Sequence, residues 1–351
     1  MWEGPYASHS ECLTGISMPI ITNLIAKINS VQTDIGSIFE IDPSFNPPTP
    51  PSTLWGWGSN GTGRLGLGNT TNRSSPVQVG TLTDWLTISS GGAFSASVKT
   101  DGTLWSWGQN TSGQLGHGNL TSRSSPVQVG ALTNWSNISC GVSHTAAIKT
   151  DGTLWTWGLG TDGRLGHNNV TSRSSPVQVG ALTNWADVSC GYQHTAAVKT
   201  NGTLWTWGQG SNGKLGHNNM TSRSSPVQVG ALTNWNRVSC GSQHTAAVKT
   251  DGTLWVCGYN GNGQLGLGDI ISRSSPIQVG SLTNWSNVSC GGTHTIAVKT
   301  DGTLWTWGFG GNGQLGHGNT TSRSSPVQVG TLTSWSKCSS GDIHTMATRA
   351  V

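Results

Sequence analysis

A 50-residue repeat constrains this chain more than any other feature of its sequence. The ten residues KTDGTLWTWG are identical at Lys149–Gly158 and Lys299–Gly308, and six units of this length fill residues 52–351. Repetition at a fixed period of this size is typical of arrays in which each unit packs against its neighbours. The sequence therefore predicts one array and a separate N-terminal segment. The Leu-Trp pairs that mark the units begin at Leu54, Leu104, Leu154, Leu204, Leu254 and Leu304.

Each unit is patterned as short β-strands. In Val248–Gly258 an Asp-Gly pair separates two short alternating runs, a strong hairpin signal. The Ser-Ser-Pro-Val-Gln-Val sequence predicts a third strand, and Trp-x-x-Val-Ser-Cys predicts a fourth. Helical periodicity is missing from all six units. Four short strands per unit, with glycine at the joints, predict an all-β fold made of β-propeller blades.

The order of these motifs resembles the repeat of the regulator of chromosome condensation family. Leu-Trp-x-Trp-Gly is followed by Gly-x-Leu-Gly (Gly113–Gly116), Pro-x-x-Val and Ser-Cys-Gly-x-x-His-Thr-x-Ala (Ser139–Ala147). The resemblance spans the six units and implies a ring of four-stranded blades, usually about seven in that family. Six units are present here, so we expect a ring of six blades, or of seven if the family number holds.

The two ends of the array predict how the ring closes. The array begins with Thr53–Trp57, which matches the second strand of the hairpin, and ends with His344–Arg349, which matches the first. Pairing these ends would complete a mixed blade and remove two exposed sheet edges.

The N-terminal residues share none of the repeated motifs. Six apolar residues fall at alternating spacings of three and four, which predicts a helix over about residues 19–40 with a heptad seam that favours a trimer. A single amphipathic helix docked on the propeller explains the spacing as well. Residues 1–46 are thus predicted to be an anchor, and the proline-rich residues 47–51 a stiff spacer. The predicted oligomerisation residues are Ile21, Leu24, Ile28, Val31, Ile35 and Ile38.

Histidine, cysteine and arginine recur once per unit and raise the question of a metal or anion site. Equivalent positions on successive blades lie on a wide circle, so we expect no metal and no cofactor, and we expect His and Cys to pack in the core. The arginine of each Arg-Ser-Ser-Pro sequence is predicted to cap its own turn or to pair with the hairpin aspartate. A ring of these arginines that attracts an anionic ligand is the alternative.

Binding residues are predicted where the units differ. The four residues after Trp-Gly and the two residues before His-Thr vary between copies, whereas the surrounding motifs do not. Variable polar and aromatic loops on a rigid scaffold are typical of a partner or glycan surface, although neutral drift of exposed loops explains the same pattern. The candidate partner-binding residues are Gln109, Asn110, Asp162, Tyr192, Gln193, Gln209, Asn212, Tyr259, Asn260 and Phe309.

Several classes of function are disfavoured. Catalysis needs one unequal constellation of side chains, which six near-identical units do not offer, so no catalytic residue is predicted. Charged residues make up 9% of the chain, and no basic tail is present, so we expect no nucleic-acid partner. The longest apolar stretch, near Ile16–Ile28, is interrupted by polar residues and predicts no membrane insertion.

An anchor, a spacer and a polar β head together suggest a viral fibre, and near-identical units of this type resemble those of bacteriophage structural proteins. We therefore expect a non-enzymatic virion protein, a head or tail fibre. Its expected partners are two copies of itself, other virion proteins, and a glycan or protein of the host surface. The alternative is a monomeric bacterial protein-interaction propeller, cytoplasmic or secreted.

Overall fold

The computed structural model describes residues 52–349, and the predicted N-terminal helix, heptad seam and spacer lie outside these residues. The described region is all-β: it contains 24 strands, no α-helix, and two 3₁₀ turns at Thr161–Gly163 and Ser211–Gly213. The all-β prediction is therefore confirmed.

Five complete four-stranded antiparallel blades follow one another along the chain. The first contains β3 (Trp85–Ser90), β4 (Phe94–Lys99), β5 (Leu104–Gly108) and β6 (Arg123–Gln128). The second contains β7 (Trp135–Cys140), β8 (His144–Lys149), β9 (Leu154–Gly158) and β10 (Arg173–Gln178). The third contains β11 (Trp185–Cys190), β12 (His194–Lys199), β13 (Leu204–Gly208) and β14 (Arg223–Gln228). The fourth contains β15 (Trp235–Cys240), β16 (His244–Lys249), β17 (Leu254–Gly258) and β18 (Arg273–Gln278). The fifth contains β19 (Trp285–Cys290), β20 (His294–Lys299), β21 (Leu304–Gly308) and β22 (Arg323–Gln328).

Two half-blades flank the complete blades. At the start of the array, β1 (Trp55–Gly58) pairs with β2 (Arg73–Gln78), and at its end β23 (Trp335–Ser340) pairs with β24 (Thr345–Arg349). These are separate two-stranded sheets, so the predicted closure of the ring by pairing of the two ends is not present in this structure. Trp57 consequently remains 47% exposed, whereas the equivalent Trp107 is 1% exposed.

Contacts between blades recur from junction to junction. The indole N–H of the second Trp donates to a backbone carbonyl of the preceding unit at 2.9 Å in four units, as in Trp157 to Gln114 and Trp207 to Arg164. Cys257 replaces this Trp in the fourth complete blade, and its Sγ lies 3.5 Å from Lys214 O. The first strands of neighbouring blades are joined by a serine hydroxyl that accepts the next strand's N–H, as in Ser139 and Cys190 at 2.9 Å. These contacts join each blade to the next along the array.

The core of each blade is a layer of tryptophan and aliphatic side chains. Trp135 packs edge-on against Trp155 and Trp157, with ring centroids 6.1 Å apart in both pairs. Lys149 places its Nζ 3.8 Å from the Trp155 ring centroid and 4.9 Å from that of Trp135, and the lysine is 7% exposed. The same lysine–tryptophan layer recurs in all five complete blades, which explains the heavy use of Trp in the repeat.

Candidate functional site at the loop end of the blades

The two variable segments of the repeat lie at the same end of the strands. Antiparallel pairing places the short turn between the first and second strands beside the long loop between the third and fourth. In the first complete blade these are residues 91–93 and 109–122, and we call this end, in all units, the loop face. The opposite end carries the Thr-Asp-Gly turns, such as residues 100–103, and we call it the turn face. Variation between the units is therefore concentrated on the loop face.

Lys214 lies at the centre of the least repetitive region of the loop face. Its Nζ donates to Oε1 of Gln209 at 2.7 Å and to Oε1 of Gln243 in the next blade at 3.2 Å. Asn212 also donates to Gln243, at 3.1 Å. Lys214 is 0% exposed, and burial lowers the pKa of its ammonium group to about 8. A buried cation held by two neutral amides fixes the loops of two blades against each other.

Arg164 has the same role in the preceding unit. Its guanidinium donates to the backbone oxygen of Tyr192 at 3.2 Å and to Oδ2 of Asp162 at 2.7 Å. The Tyr192 N–H in turn donates to the backbone oxygen of Gly241 in the following blade at 3.3 Å. Tyr192 is thus held by both of its neighbours through its backbone, while its side chain is 45% exposed.

Two further aromatic side chains cover glycines of their own loops. Tyr259 lies over Gly261, where an added Cβ would come within 2.0 Å of the tyrosine hydroxyl, and Phe309 lies over Gly311 in the same way. The Tyr259 N–H donates to the backbone oxygen of Gln243 at 2.9 Å, so Tyr259 is tied to a Lys214 partner. Tyr259 is 36% exposed. Gln209 and Gln243 thus contact Lys214, Asn212 and Tyr259 contact Gln243, and Tyr192 adjoins Gln193, whose backbone oxygen accepts from the Gln209 N–H at 2.9 Å. We call Tyr192, Gln209, Asn212, Lys214, Gln243 and Tyr259 the loop-face cluster.

The other predicted binding residues divide into accessible and buried ones. Gln109, Asp162, Gln193 and Phe309 are half-buried on the loop face. Two of the predicted binding residues, Asn110 and Asn260, have fully buried side chains. Asn110 donates to the backbone oxygens of Asn119 and Thr121 at 2.9 and 3.1 Å, and Asn260 donates to that of Asp269 at 2.9 Å. These amides hold their loops in shape and are not available to a partner.

Lys214, Arg164 and Gln243 were not predicted as site residues. A signal was present, because the second position of the Gly-x-Leu-Gly motif is basic in three units (Arg64, Arg164 and Lys214) and glutamine in the other three (Gln114, Gln264 and Gln314). This change between a cation and a neutral amide marks a position where the loops of different units have different partners.

The histidines of the His-Thr motif form a ladder between blades. His144 Nε2 lies 2.9 Å from the Thr195 hydroxyl, which itself donates to the backbone oxygen of Arg164 at 2.9 Å. The hydroxyl therefore accepts from the imidazole, which is neutral with its proton on Nε2. Burial lowers the pKa of His144 and His244 to about 3. The same contact joins His194 to Thr245, His244 to Thr295 and His294 to Thr345.

The second set of histidines and the cysteines also make contacts within the array. His167 Nε2 lies 2.9 Å from the Thr156 hydroxyl of its own blade. Cys140, Cys190, Cys240, Cys257 and Cys290 are free thiols in the core. Within residues 52–349 no three His, Cys, Asp or Glu side chains are grouped closely enough to share a metal ion.

The arginines of the Arg-Ser-Ser-Pro sequences do not pair with the hairpin aspartates. The carboxylate of Asp151 accepts from the N–H and hydroxyl of Thr153, at the opposite end of the strands from Arg173. Arg273 is the exception that caps its own loop, by donating to Ile271 O at 2.6 Å and to Asp269 at 2.6 Å. For the other five, the buried Nε has no hydrogen-bond partner among the described residues; these are Arg73, Arg123, Arg173, Arg223 and Arg323.

No helix of the described residues is long and apolar enough to span a bilayer. Repeated four-stranded blades with variable segments at one end are typical of a β-propeller.

The RCC1-like domain model matches residues 53–347, so this chain belongs to the RCC1-like domain family. This confirms the resemblance seen in the sequence. Proteins of this family generally have binding or regulatory roles.

Solved structures with the same fold come from human and yeast proteins. Human WBSCR16 is 23% identical with a TM-score of 0.76, over 85% of this chain and 82% of that one. Yeast RCC1 (Prp20), in the structure of its complex with Kap60, is 17% identical with a TM-score of 0.76, over 90% and 83%. Prp20p from Saccharomyces cerevisiae, in a study of its binding to Gsp1p and histones, is 16% identical with a TM-score of 0.63, over 86% and 91%. No curated protein matches the chain.

Proposed function

We propose that this protein is a non-enzymatic binding protein of a virion, a bacteriophage head or tail fibre whose propeller contacts a glycan or protein of the host surface through the loop face. The observation that carries this proposal is the loop-face cluster. Units that are otherwise near-identical differ there, and the differences place two exposed tyrosines on loops that Arg164 and Lys214 hold. Exposed aromatic side chains on a rigid base are favoured at binding sites because little conformational entropy is lost on contact.

The proposed attachment role rests on the N-terminal sequence, whose heptad seam favours a trimer. Light scattering on the full chain and on the variant Ile28→Asp/Ile35→Asp tests it. We expect a trimer that becomes a monomer in the variant, because a carboxylate at two seam positions is buried without a partner in the assembled helix. If both proteins are monomers, the fibre assignment loses its support.

The proposed binding role is tested on the same full chain. The variant Tyr192→Ala/Tyr259→Ala should lose binding to bacterial cells that the wild type binds, by tenfold or more if the two residues are hot spots. Leu86→Ala is the control, because Leu86 is 56% exposed but lies in β3 next to Trp85, toward the turn face. Equal binding of both variants would exclude the loop-face cluster as the contact surface.

Ring closure belongs to this proposal, since a closed ring presents the loop face of all six units together. The strand register of the complete blades would pair Thr345 with Trp57 and Ala347 with Trp55, as Thr145 pairs with Trp157 in the second blade. Closure would also extend the histidine ladder, because His344 would meet Ser95 of the first unit, whose hydroxyl stands where later units have Thr. Hydrogen exchange tests closure: the amides of β1 and β24 should be as protected as those of β5 and β8 if the ends pair.

A monomeric protein-interaction propeller is the second candidate. The yeast structures that share this fold are described with protein partners, Kap60 in one case and Gsp1p and histones in the other. A monomeric full chain that still binds a protein through Tyr192 and Tyr259 would favour this role over the fibre.

A further inference from the structure

A groove runs along the outside of the array between the fourth and fifth complete blades. Its volume is about 500 Å³, and its walls include Arg273, Gln278 and Leu282 on one side and Trp305 and Pro326 on the other, with Trp285 beneath. Trp305 donates its indole N–H to the Thr303 hydroxyl at 2.8 Å, so its ring offers only carbon and π surface to the groove. One wall of the groove is thus apolar and flat, and the other carries a cation and an amide.

The residues that form this groove recur at all five junctions from β2 to β22, so we expect the same groove at each. At each junction a backbone N–H of the loop donates to the carbonyl of the first serine in the next unit's Ser-Ser-Pro sequence, at 2.7 to 2.8 Å. All six units have the same four residue types at the positions of Arg273, Gln278, Leu282 and Trp305. The five contacts are Gly68 to Ser124, Gly118 to Ser174, Asn168 to Ser224, Asn218 to Ser274 and Gly268 to Ser324.

Hydrogen-bond donors in these walls have no acceptor. Trp285 is 2% exposed and its Nε1 has no partner, and the same is true of Trp135, Trp185 and Trp235 within the described residues. Arg123, Arg173 and Arg223 have an unpaired buried Nε and no carboxylate within salt-bridge distance among the described residues. Arg273 differs, because Asp269 neutralises it at 2.6 Å. Guanidinium groups that no carboxylate neutralises favour a negatively charged ligand.

The groove positions are constant although each groove is partly exposed. Leu82, Leu132, Leu182, Leu232, Leu282 and Leu332 are 41 to 48% exposed, yet all six units keep leucine. The exposed position of Leu120, in the long loop of the loop face, varies, with Val170, Met220 and Ile270 in the following units. Because the units have diverged at one exposed apolar position and not at the other, the leucine of the groove has a role that side-chain burial alone does not explain.

Histidine adds an acceptor in three of the grooves. His117, His167 and His217 stand where Leu67 and Leu267 stand in the other units, and Leu267 lines the groove. The Thr156 hydroxyl donates to Leu165 O at 2.6 Å and therefore accepts from His167 Nε2, which leaves Nδ1 as a free acceptor. The neutral imidazole is favoured here, since burial and the neighbouring Arg173 lower the pKa of His167.

We propose that these inter-blade grooves are repeated binding sites for acidic saccharides, one pyranose ring per groove. The tryptophan ring and the leucine contact the apolar C–H face of the sugar, the arginine binds its carboxylate, and glutamine and histidine bind its hydroxyl groups. The grooves of Arg73, Arg123, Arg173 and Arg223 are the active ones, and that of Arg273 is blocked electrostatically by Asp269. These sites lie apart from the loop-face cluster and do not depend on its proposed role.

Calorimetric titration of the full chain tests the proposal with tetragalacturonate as the probe. The same tetrasaccharide with its carboxyl groups reduced to primary alcohols is the matched ligand. We expect the reduced form to bind at least tenfold more weakly, because a charge-assisted hydrogen bond to arginine is lost in each groove. The triple variant Arg123→Gln/Arg173→Gln/Arg223→Gln should retain only the site of Arg73, and its unfolding midpoint shows whether the fold is intact.

Two further variants separate a specific site from general charge. Arg273→Gln removes one positive charge from a blocked groove and should leave the number of sites unchanged. Asp269→Asn restores the residue that the other units carry at this position, frees Arg273, and should add one site per chain. Tyr192→Ala/Tyr259→Ala should leave saccharide binding unchanged, which keeps this test independent of the loop face.

The outcomes that overturn the proposal are equally specific. Equal affinity for the acidic and reduced saccharides, or unchanged site number in the triple variant, would exclude the grooves. Displacement by an equal concentration of inorganic sulfate, together with no loss of affinity in Leu132→Ser/Leu182→Ser, would show sites for simple anions only.

Discussion

The histidine ladder makes the fold sensitive to acid in a way that can be calculated. His144, His244 and His294 are fully buried, and burial lowers their pKa values to about 3, about 3 and about 4. In the unfolded chain a histidine has a pKa near 6.5. The unfolded chain therefore binds more protons than the folded protein below pH 6.5, and stability falls as the pH is lowered from 6.5 toward the folded pKa.

Between pH 7 and pH 5 each such histidine removes about 2 kcal/mol from the free energy of unfolding. The three together remove about 5 to 6 kcal/mol, which is a large fraction of the stability of a typical domain. His194, whose pKa burial also lowers, adds to the loss. Denaturant unfolding followed by tryptophan fluorescence at pH 7 and pH 5 measures the difference.

The variant His144→Phe removes one contact of the histidine ladder, that of His144 with Thr195. Phenylalanine already occupies this position in the first unit, where Phe94 is 1% exposed, so the ring fits the site. Between pH 7 and pH 5 the free energy of unfolding should fall by about 2 kcal/mol less in this variant than in the wild type. His317→Leu is the control, because His317 is only half-buried and Leu267 occupies its place in the preceding unit. An identical pH dependence in His144→Phe and wild type would refute the assignment of a neutral, buried imidazole.

Three other perturbations test the packing. Lys214→Gln restores the glutamine of other units. Because burial lowers the pKa of Lys214 to about 8, the free energy of unfolding of the wild type should rise by about 2 kcal/mol more than that of the variant between pH 7 and pH 9.5. Denaturant unfolding at the two pH values measures this difference. Gly102→Ala should destabilise the fold by several kcal/mol, because at φ +75° the added Cβ would lie 2.1 Å from Thr133 O. Gly130→Ala should cost only about 1 kcal/mol, because Gly130 has a similar φ of +63° but open space around it. Comparable losses of stability in the two variants would contradict the steric argument. Trp157→Phe removes the bond to Gln114 O and should lower the free energy of unfolding by about 1 to 3 kcal/mol, as measured by thermal unfolding.

The strands could be predicted from the sequence because their signals are local. The Asp-Gly turn after Lys149 and the glycines at the joints specify hairpins whatever the neighbouring units do, and six copies leave no ambiguity in the period. The packing role of the first histidine set was also predicted, since Phe94 replaces histidine without a polar equivalent.

Ring closure and the arginine contacts could not be predicted, because both depend on geometry between units. Pairing of β1 with β24 requires the exact rotation per blade, and no residue of either strand encodes that angle. Arg173 and Asp151 are close in sequence but lie at opposite ends of the strands, which a motif does not reveal. Asn110 varies like a surface residue, yet it is buried, since the loop folds around its amide.

The ladder contacts join residues about 50 positions apart, from one unit to the next, so the gene can gain or lose whole units. A unit duplicated in register brings both halves of every contact with it, the donor for the unit before and the acceptor for the unit after. Lengthening or shortening the array by whole units therefore leaves each internal junction intact and alters only the arc that the array describes. Recombination between near-identical copies is thus a mutation that this architecture tolerates, and variants of this protein with different numbers of units should fold.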